Sequence, residues 1–490
     1  MNLLITFYVI ILIALTLFGV HRYYMIFLFQ RWYKRLVTKK PSGVMAELPR
    51  VTVQLPVYNE MYVVERLLKA AANLDYPKDL LEIQLIDDSS DDTSAIALRK
   101  IEELEKNGVK ISYLRRESRE GFKAGALAYG LQRCMGEYVL IFDADFLPPP
   151  DILKRMIPYF SDPKIGMVQA RWGHINQDYS LLTRLQSLLL DGHFLVEHTA
   201  RCGSGLFFNF NGTAGIWRKQ AILDAGGWQA DTLAEDMDLS YRAQIKGWRF
   251  LFLPEVVCPA ELPVEMNAFK TQQHRWAKGG VQTARKILPD LFKRPFPFRV
   301  KLEAFVHLTG NVLYLGTIFL ALFLFPSMIW RHTGGWPNSS FVEILEGGVF
   351  FSATLSAMCY YVISQSKIYQ DWVAKLRFLP LLLGLGAGLS VNNGLAALEA
   401  LVGHKTEFKR TPKYKIEKRE DRWQSKKYRG DVKNLLWVAE VAIGIYLFLP
   451  LFYALRWKMW GTLLFVCLFS ASFLYMGVLS LLHAARKSRA

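Results

Sequence analysis

Two carboxylates, Asp143 and Asp145, end the apolar stretch EYVLIFDADFLPPPD on either side of one alanine. Residues 138–142 have the length and composition of a buried strand, and the prolines after the acids end it. Open α/β sheets place their ligands at the carboxyl ends of their strands. Paired carboxylates there can hold a divalent cation whose other ligands are water and phosphate oxygens. For these two residues alone, a solvated turn after a strand is the alternative.

A second acidic pair, Asp87 and Asp88, ends the neighbouring predicted strand in IQLIDDSSDDT. Two strand ends that both carry paired carboxylates predict one polyanionic pocket. Such a pocket costs stability unless a cation or donor groups of a substrate fill it.

Lys123 lies between two glycines, Gly121 and Gly125, at a predicted helix start in EGFKAGALAYG. Backbone N–H groups and one ammonium at a helix start can bind a diphosphate. A simple helix cap is the alternative, because the segment is not a Walker motif.

Three acids, Glu235, Asp236 and Asp238, begin another predicted helix in TLAEDMDLSYR. Acids in a first turn commonly interact with the helix dipole. In the functional interpretation, one of them is a general base.

Gln272, Arg275 and Trp276 share one predicted helix in FKTQQHRWAKGG, just before a strongly apolar region. Spacing alone favours an amphipathic helix at a membrane interface, which accounts for the tryptophan and the basic residues without any chemistry.

The elements that position these residues alternate between strand and helix from the first apolar run to residue 295. The predicted strands are 51–58, 82–88, 110–116, 138–145 and 164–172. This spacing predicts a mostly parallel, doubly wound sheet.

Long apolar runs flank this region. Residues 3–20 have no basic segment before them and no small-residue cleavage site after them, which indicates an uncleaved membrane anchor rather than a signal peptide. The later runs are near 304–329, 346–365, 378–403, 435–455 and 461–483, each close to the ~20 residues that a bilayer requires.

The basic segment after residue 403 constrains the number of crossings, because basic loops stay on the cytoplasmic side. With the soluble strand-and-helix region also cytoplasmic, 378–403 is predicted to be re-entrant or interfacial. Five full crossings result, with the N-terminus outside and the C-terminus inside. Glu440, inside one of these runs, either lines a translocation path or pairs with a residue of another helix.

The composition excludes some classes of function. The net charge of +17 comes without a basic-aromatic binding motif, and positive-inside bias explains it better than nucleic acid does. The five cysteines form no CxxC pair or metal-ligand spacing, which favours a reducing compartment and no disulfide framework.

Seven short motifs follow one another in a fixed order: PVYNE, DDSSDDT, GFKAGAL, FDADF, FNGTAGIWR, AEDMDL and QQHRW. Over roughly residues 50–285 they resemble the inverting, membrane-integrated family-2 glycosyltransferases of the cellulose synthase type. The resemblance is closest to the cellulose-synthase-like mannan synthases and xyloglucan-backbone glucan synthases. It implies a GT-A, Rossmann-like α/β domain on the cytoplasmic side, inserted in an α-helical transmembrane frame.

The resemblance also implies a role for each nucleotide-binding position. The diphosphate would meet Lys123 and, through Mg²⁺ or Mn²⁺, Asp143 and Asp145. The base and ribose would contact Tyr58, Glu60, Asp87 and Asp88.

Asp236 matches the catalytic base of the T-E-D motif, although Ala234 stands where cellulose synthases have threonine, which puts a glucan product in doubt. The acceptor and the leaving diphosphate would meet Glu235, Gln272, Arg275 and Trp276. The stretch FKRTPK resembles the FxVTxK gating loop through Phe408, Thr411 and Lys413, with Arg410 in place of valine.

The expected domains are a transmembrane anchor at 1–30, the glycosyltransferase domain at 31–295, transmembrane helices with the re-entrant segment at 296–403, a basic gating-like loop at 404–433 and two transmembrane helices at 434–490. The expected protein is a multi-pass enzyme of the cell membrane or a Golgi-type membrane. Its substrates would be a GDP- or UDP-hexose and a growing β-linked mannan or glucan, which it translocates. Transfer of one or a few sugars to a lipid is the alternative enzyme; a transporter with a nucleotide-binding domain is the non-enzymatic one.

Overall fold

A mixed sheet forms the centre of the computed structural model, which describes residues 2–43, 45, 47–334, 340–430 and 435–485. The predicted cytoplasmic residues 486–490 and the end of the basic loop at 431–433 lie outside the described residues. The strands are β1 Val51–Val57, β2 Leu81–Asp87, β3 Ile111–Arg115, β4 Tyr138–Ile141, β5 Ile165–His174, β6 Gly215–Arg218 and β7 Arg249–Ala260.

The helices precede, connect and follow these strands. Up to the last strand they are α1 Asn2–Val37, α2 Val64–Ala72, α3 Thr93–Lys106, α4 Phe122–Gln132, α5 Ile152–Met156, α6 Leu181–Asp191, α7 Thr199–Ser204, α8 Lys219–Asp224 and α9 Glu235–Ile245, with a π-helical turn Gly192–His198 between α6 and α7. After it they are α10 Met266–Lys293, α11 Phe298–Thr309, α12 Leu313–His332, α13 Ser340–Val349, α14 Ser356–Ile368, α15 Trp372–Lys375, α16 Leu379–Gly388, α17 Ser390–Val402, α18 Leu436–Tyr446, α19 Phe448–Arg456 and α20 Trp460–Ala485.

The strand order of the sheet is β3-β2-β1-β4-β6-β5-β7, and β6 alone among these strands runs antiparallel to its neighbours. The chain builds β1, β2 and β3 in one direction and then returns to place β4 on the other side of β1. This reversal is a topological switch point, and ligands of open α/β sheets bind outside the carboxyl ends of the strands at such a point. The predicted mostly parallel, doubly wound sheet is confirmed.

The predicted strand 138–145 is wrong at its end, because β4 stops at Ile141. The Phe142 amide still donates to the Gln54 carbonyl, but the Asp143 amide donates to the Thr213 hydroxyl. The two acids therefore lie on a turn beyond the sheet edge.

The sequence also did not predict β6 and β7. The first has only four residues, and the second contains Pro254 and Pro259, which argue against a central strand. Since β7 is the last strand in the order, it is an edge strand, where proline is tolerated.

The sheet has an apolar core on each face. Along β4, Tyr138 and Leu140 contribute to one core, with residues of α2, α3 and α5, whereas Val139 and Ile141 contribute to the other, with residues of α4, α8 and α9. This alternation is the two-residue period of a strand. Because both faces are covered, every β4 residue is apolar, and the acids can follow only after the strand has ended.

Six helical segments of the described chain are long and apolar enough to cross a membrane: 3–37, 298–332, 340–368, 372–402, 436–456 and 460–485. In the fourth, 72% of the most apolar window is buried in protein, against 22% to 33% in the other five. Its length admits a full crossing, and its burial fits a segment enclosed by other helices. The re-entrant or interfacial path of this segment remains a prediction.

The long helix α10 connects the sheet domain to the apolar helices and packs along α11, α17 and α20. Its Lys270 ammonium lies 2.8 Å from a carboxylate oxygen of Glu440 on α18, which is fully buried. Of the two interpretations of Glu440, pairing with another helix is confirmed.

Candidate active site

A cavity of about 150 Å³ lies at the carboxyl ends of β1 and β4. Every site residue that the resemblance implies lines it except Asp87, and the third candidate acid of α9, Asp238, does not line it either but pairs with Arg242 and Lys286. The predicted residues that the cavity brings together are Tyr58, Glu60, Asp88, Lys123, Asp143, Asp145, Glu235, Asp236, Gln272, Arg275, Trp276, Phe408, Thr411 and Lys413.

The DxD carboxylates are paired with cations from distant parts of the chain. Asp143 Oδ1 accepts a hydrogen bond from Lys123 Nζ at 2.5 Å, and Asp145 Oδ2 accepts one from Lys413 Nζ at 2.5 Å. Clustered carboxylates repel one another, and nearby ammonium groups offset that cost. The expected need for cations in this pocket is thus met here by the chain's own lysines.

The second acidic pair is divided between two environments. Asp88 lines the cavity and forms an ion pair with the Arg116 guanidinium. Asp87 is fully buried and accepts hydrogen bonds from the hydroxyls of Ser94, at 2.5 Å, and Tyr113, at 2.8 Å. The Asp87 carboxylate therefore holds together the elements around the end of β2, and its predicted contact with a nucleotide remains a prediction.

Lys123 extends from the first turn of α4 to the centre of the cavity. Its ammonium also donates to the Gly212 carbonyl at 2.9 Å. Burial opposes the charge of Lys123, but Asp143, Glu235 and Asp236 outweigh it and hold its pKa above the ordinary value. A cation that stays charged in this place can meet the phosphates of a bound donor.

Gly212 allows the chain to pass between this lysine and the candidate base. Its φ is +79°, and a Cβ at this position would lie 2.9 Å from Asp236 Oδ2 and 3.2 Å from Lys123 Nζ. Both the backbone conformation and the close approach require glycine.

Asp236 lies in the first turn of α9, where its Oδ1 accepts a hydrogen bond from the Met237 amide at 2.8 Å. Burial and the neighbouring Glu235 raise the pKa of Asp236 to about 7, although Lys123 opposes the shift. A general base works best when its pKa is near the operating pH. Asp236 therefore meets this condition near neutral pH.

The residues predicted from QxxRW face the cavity from α10. Gln272, Arg275 and Trp276 are three and four residues apart, a spacing that places side chains on one face of a helix. The Trp276 ring lies 6.4 Å from the ring of Trp172, and the Arg275 guanidinium lies over the ring of Phe408 at 4.6 Å. A helix whose only role is to lie at a membrane interface does not require these three side chains to line a cavity.

The segment 403–413, here called the covering loop, lies over the cavity. It begins at Gly403, which ends α17 in the left-handed conformation, and its residues Phe408, Thr411 and Lys413 line the cavity. Arg410, which stands where valine was expected, pairs with Glu60 at 2.8 Å. Burial raises the pKa of Glu60 to about 7, although Arg410 and Lys413 lower it.

Rings and guanidinium groups pack against one another along one wall of the site. The Arg119 guanidinium lies 3.4 Å from the ring centre of Tyr58 and 4.9 Å from that of Phe122. The Phe122 ring stacks on Phe408 at 5.7 Å, and Phe408 also contacts the Arg275 guanidinium. This column joins the strand end, α4, the covering loop and α10, with cations between aromatic faces.

The sequence reasoning missed several residues that the cavity contains: Arg119, Phe122, Trp172 and Asn211. Position could have identified the first two, since Arg119 lies in the loop between β3 and α4 and Phe122 is the first residue of α4, at the carboxyl edge of the sheet. Asn211 lies inside the motif FNGTAGIWR, in which the sequence assigns no role to any single residue.

Known proteins resemble this chain in sequence. The family described as "Glycosyltransferase like family 2" matches residues 49–279. Glucomannan 4-beta-mannosyltransferase 2 of Arabidopsis thaliana is 46% identical over 257 residues, which are 51% of this chain and 47% of that protein. The chain thus spans about half the length of this relative, and the same holds for several rice relatives.

A longer alignment covers most of both chains. Probable glucomannan 4-beta-mannosyltransferase 15 of A. thaliana is 34% identical over 389 residues, which are 74% of this chain and 71% of that protein. Among solved structures, a mannosyltransferase from Pyrobaculum calidifontis in complex with GDP-Man and Mn²⁺ has a TM-score of 0.53 at 22% identity. It covers 81% of this chain and 100% of its own, and the likeness concerns the fold. With the motif order and the cavity at the strand ends, these similarities make the chain a member of the family-2 glycosyltransferases, within the cellulose-synthase-like mannan synthase group.

Proposed function

We propose that this protein transfers mannose from GDP-mannose, with inversion, to the growing end of a β-linked mannan, and that it passes the polymer across the membrane through its own helices. The observation that carries the proposal is the 34% identity to a probable glucomannan 4-β-mannosyltransferase over 74% of this chain and 71% of the relative. The alternative donor is UDP-glucose, and the corresponding product is a β-linked glucan.

Asp236 acts as the general base in this proposal. It accepts the proton of the acceptor hydroxyl as the hydroxyl oxygen attacks the anomeric carbon, and the bond from that carbon to the phosphate oxygen breaks on the opposite face. Displacement from the opposite face inverts the anomeric centre. A positioned carboxylate typically contributes 10²- to 10⁴-fold to such a step.

Cationic side chains favour departure of the nucleoside diphosphate. Lys123, Arg275 and Lys413 line the cavity around the DxD turn and can meet the charge that develops on the leaving group. Charges that are already in place in a site with little water stabilise a transition state without a reorganisation cost.

The DxD turn fits a divalent cation. Asp145 Oδ1 is buried and has no hydrogen-bond partner among the described residues. Among all the described residues, no group of three or more His, Cys, Asp or Glu side chains is arranged to hold a metal ion. One or two carboxylates combined with substrate phosphates is the usual protein site for Mg²⁺. Asp143 and Asp145 would hold Mg²⁺ or Mn²⁺, which offsets the charge of a diphosphate when it is bound.

A second cavity supports a polymeric product. It has about 280 Å³, shares Leu233 and Arg275 with the first cavity, and is lined by α10, α17, the covering loop and the start of α18. Its other lining residues are mostly polar, among them Asn267, Thr271 and Asn392. A polar cavity next to the active site, on the side of the apolar helices, suits a chain of sugars that leaves the site.

The test is transfer of radiolabel from a panel of nucleotide sugars by the purified full-length protein, followed by linkage and size analysis of the product. We expect GDP-mannose to label a polymer of β-linked mannose, and Asp236→Asn protein to serve as the inactive control. Organic-soluble material with one or two sugars would replace the polymer proposal with glycolipid synthesis. If the protein transfers no sugar from any donor, both the polymer proposal and the glycolipid alternative are wrong.

A further inference from the structure

Asn211 of the motif FNGTAGIWR lies at the end of the cavity that holds the candidate base. Its backbone amide donates to Gln169 Oε1 at 3.2 Å. The carbonyl oxygen of the next residue, Gly212, accepts a hydrogen bond from the Lys123 ammonium, and Gly212 lies against Asp236. Asn211 is thus held next to the reacting end of the site, where the transferred sugar must lie if Asp236 is the base.

The π-helical turn Gly192–His198 also contacts Asn211. Its residues His193 and His198 are five positions apart, and their rings are 4.7 Å apart. In an α-helix of 3.6 residues per turn, side chains at this spacing diverge, whereas i→i+5 hydrogen bonding brings them to one side. Single π-helical turns of this kind are frequent at functional sites.

Both histidines bind the Asn211 carboxamide. Asn211 Oδ1 lies 2.5 Å from His198 Nε2, and Asn211 Nδ2 lies 3.3 Å from His193 Nε2. The other His193 nitrogen, Nδ1, donates to a carboxylate oxygen of Glu197 at 2.9 Å. Because a carboxylate can only accept, one set of donors remains for neutral histidines: His193 accepts from the Asn211 amide, and His198 donates to its carbonyl oxygen. This pattern fixes which way the carboxamide points.

His198 has no other polar role in the described structure. It is fully buried and packs edge-on or tilted against Phe194, Phe208 and Phe252, with each ring centre 5.3 Å away. The His198 Nδ1 atom has no hydrogen-bond partner among the described residues. Burial lowers the pKa of His198 to about 3, so the ring is neutral. A phenylalanine would fill this space without an unpaired nitrogen, and the bond to Asn211 is what the imidazole adds.

We propose that Asn211 binds a hydroxyl group of a sugar in the active site, and that His193 and His198 are positioning residues that fix its carboxamide for this contact. The carboxamide retains one amide hydrogen and one lone pair beyond the two histidine bonds, which suits a hydroxyl as both acceptor and donor. This inference rests on the proposed function, because it needs a sugar at the Asp236 end of the cavity.

The first experiment measures Asn211→Ala in the full-length enzyme. We expect kcat/KM for sugar transfer to fall about 10-fold, the effect of one lost hydrogen bond, while the affinity for the nucleoside diphosphate alone is unchanged because that ligand lacks the sugar. Weaker binding of the intact nucleotide sugar assigns the hydroxyl to the donor. Slower transfer with normal donor binding and normal donor hydrolysis assigns it to the acceptor. Wild-type transfer by Asn211→Ala protein overturns the inference.

The second experiment is a double-mutant cycle for the positioning role. His198→Phe keeps the aromatic packing and removes the N–H donor, whereas His198→Gln keeps a donor. We expect His198→Phe to lose activity as Asn211→Ala does, His198→Gln to restore most of it, and His198→Phe to cost nothing further in the Asn211→Ala background. Additive losses, or a weaker nucleoside diphosphate affinity in His198→Phe protein, would assign His198 to packing and overturn its role.

The two proposals fail differently. If wild-type protein transfers sugar and Asn211→Ala protein does so equally well, only this inference is wrong. If wild-type protein transfers sugar from no nucleotide donor, the proposed function itself is wrong, and the inference falls with it.

Discussion

Asp236 has an environment that opposes its negative charge, and this determines when it can act as a base. An aspartate has an ordinary pKa near 4, but burial and Glu235 raise that of Asp236 to about 7. As pH falls through about 7, Asp236 gains a proton and can no longer accept one. We therefore expect kcat/KM to rise with pH, about tenfold per unit below 7, and to reach a plateau above it.

Two variants separate Asp236 from Glu60, a second carboxyl of the cavity whose pKa burial also raises to about 7. Glu235→Gln removes a negative neighbour of Asp236, so the midpoint of the pH profile should move to lower pH. Glu60→Gln should leave the midpoint in place. A profile that follows Glu60 instead would exclude Asp236 as the titrating group.

Replacement of the base tests its role directly. Asp236→Asn keeps the shape of the side chain but cannot take up the proton of the acceptor. We expect at least a ~10²-fold lower transfer rate with nearly unchanged donor affinity, measured by steady-state kinetics and by donor titration. The matched control, Asp145→Ala, should weaken metal-dependent donor binding as well as the rate. Near-normal turnover in Asp236→Asn protein would contradict the assignment.

At the scale of elements, the covering loop places its own cations on carboxylates that a bound donor would also need. The Lys413 ammonium donates a hydrogen bond to the carboxylate of Asp145, one of the two predicted metal ligands. We expect Lys413→Gln to bind Mn²⁺ roughly 10-fold more tightly in the absence of a nucleotide, since a charge-assisted hydrogen bond no longer competes for that carboxylate. Titration of Mn²⁺ followed by electron paramagnetic resonance measures this affinity.

The control for this prediction is Lys415→Gln, which removes the same charge two residues away on an exposed side chain. It should leave the Mn²⁺ affinity unchanged. Equal affinities for wild-type and Lys413→Gln protein would show that Lys413 does not compete with the metal.

A buried ion pair joins α10 to α18 and so connects the catalytic helix to the apolar helices. Loss of one partner leaves the other charge buried without compensation, which typically costs about 3 kcal/mol or more. We expect Lys270→Met to lower the free energy of unfolding by about that amount, measured by thermal or denaturant unfolding in detergent.

The double variant Lys270→Met/Glu440→Leu provides the comparison. It removes both charges of the pair, and we expect it to recover most of the lost stability. If the single and double variants are equally unstable, the pair itself is not the cause.

At the scale of the whole molecule, the orientation in the membrane follows from the distribution of basic residues. Positive-inside bias predicts that residues 30–295, the run 404–430 and the C-terminus lie on the cytoplasmic side. Cysteine introduced at Lys426, or at Ser488, which lies outside the described residues, should react with an impermeant reagent only after the membranes are opened. The background should lack the native cysteines. Labelling of either position in intact cells would refute the model of five crossings.

From sequence alone, the class of fold and the region of the candidate site can be predicted. Apolar runs of strand length that end in acids, as at Asp143, are local signals, because the period of a strand and its buried faces depend on neighbouring residues. The helix starts at Lys123 and Asp236 are local in the same way. The carboxyl ends of parallel strands share one edge of a sheet, so these residues had to meet there.

The partners of these residues depend on how distant parts of the chain pack together. Asp145 pairs with Lys413, 268 positions away in the chain, and Glu60 pairs with Arg410. Of two adjacent acids, Asp87 is buried under hydroxyl groups whereas Asp88 faces the cavity. The chain has 60 lysines and arginines, and the choice among them depends on how distant segments pack. Burial and charge pairing are properties of that packing, which no local pattern of residues contains.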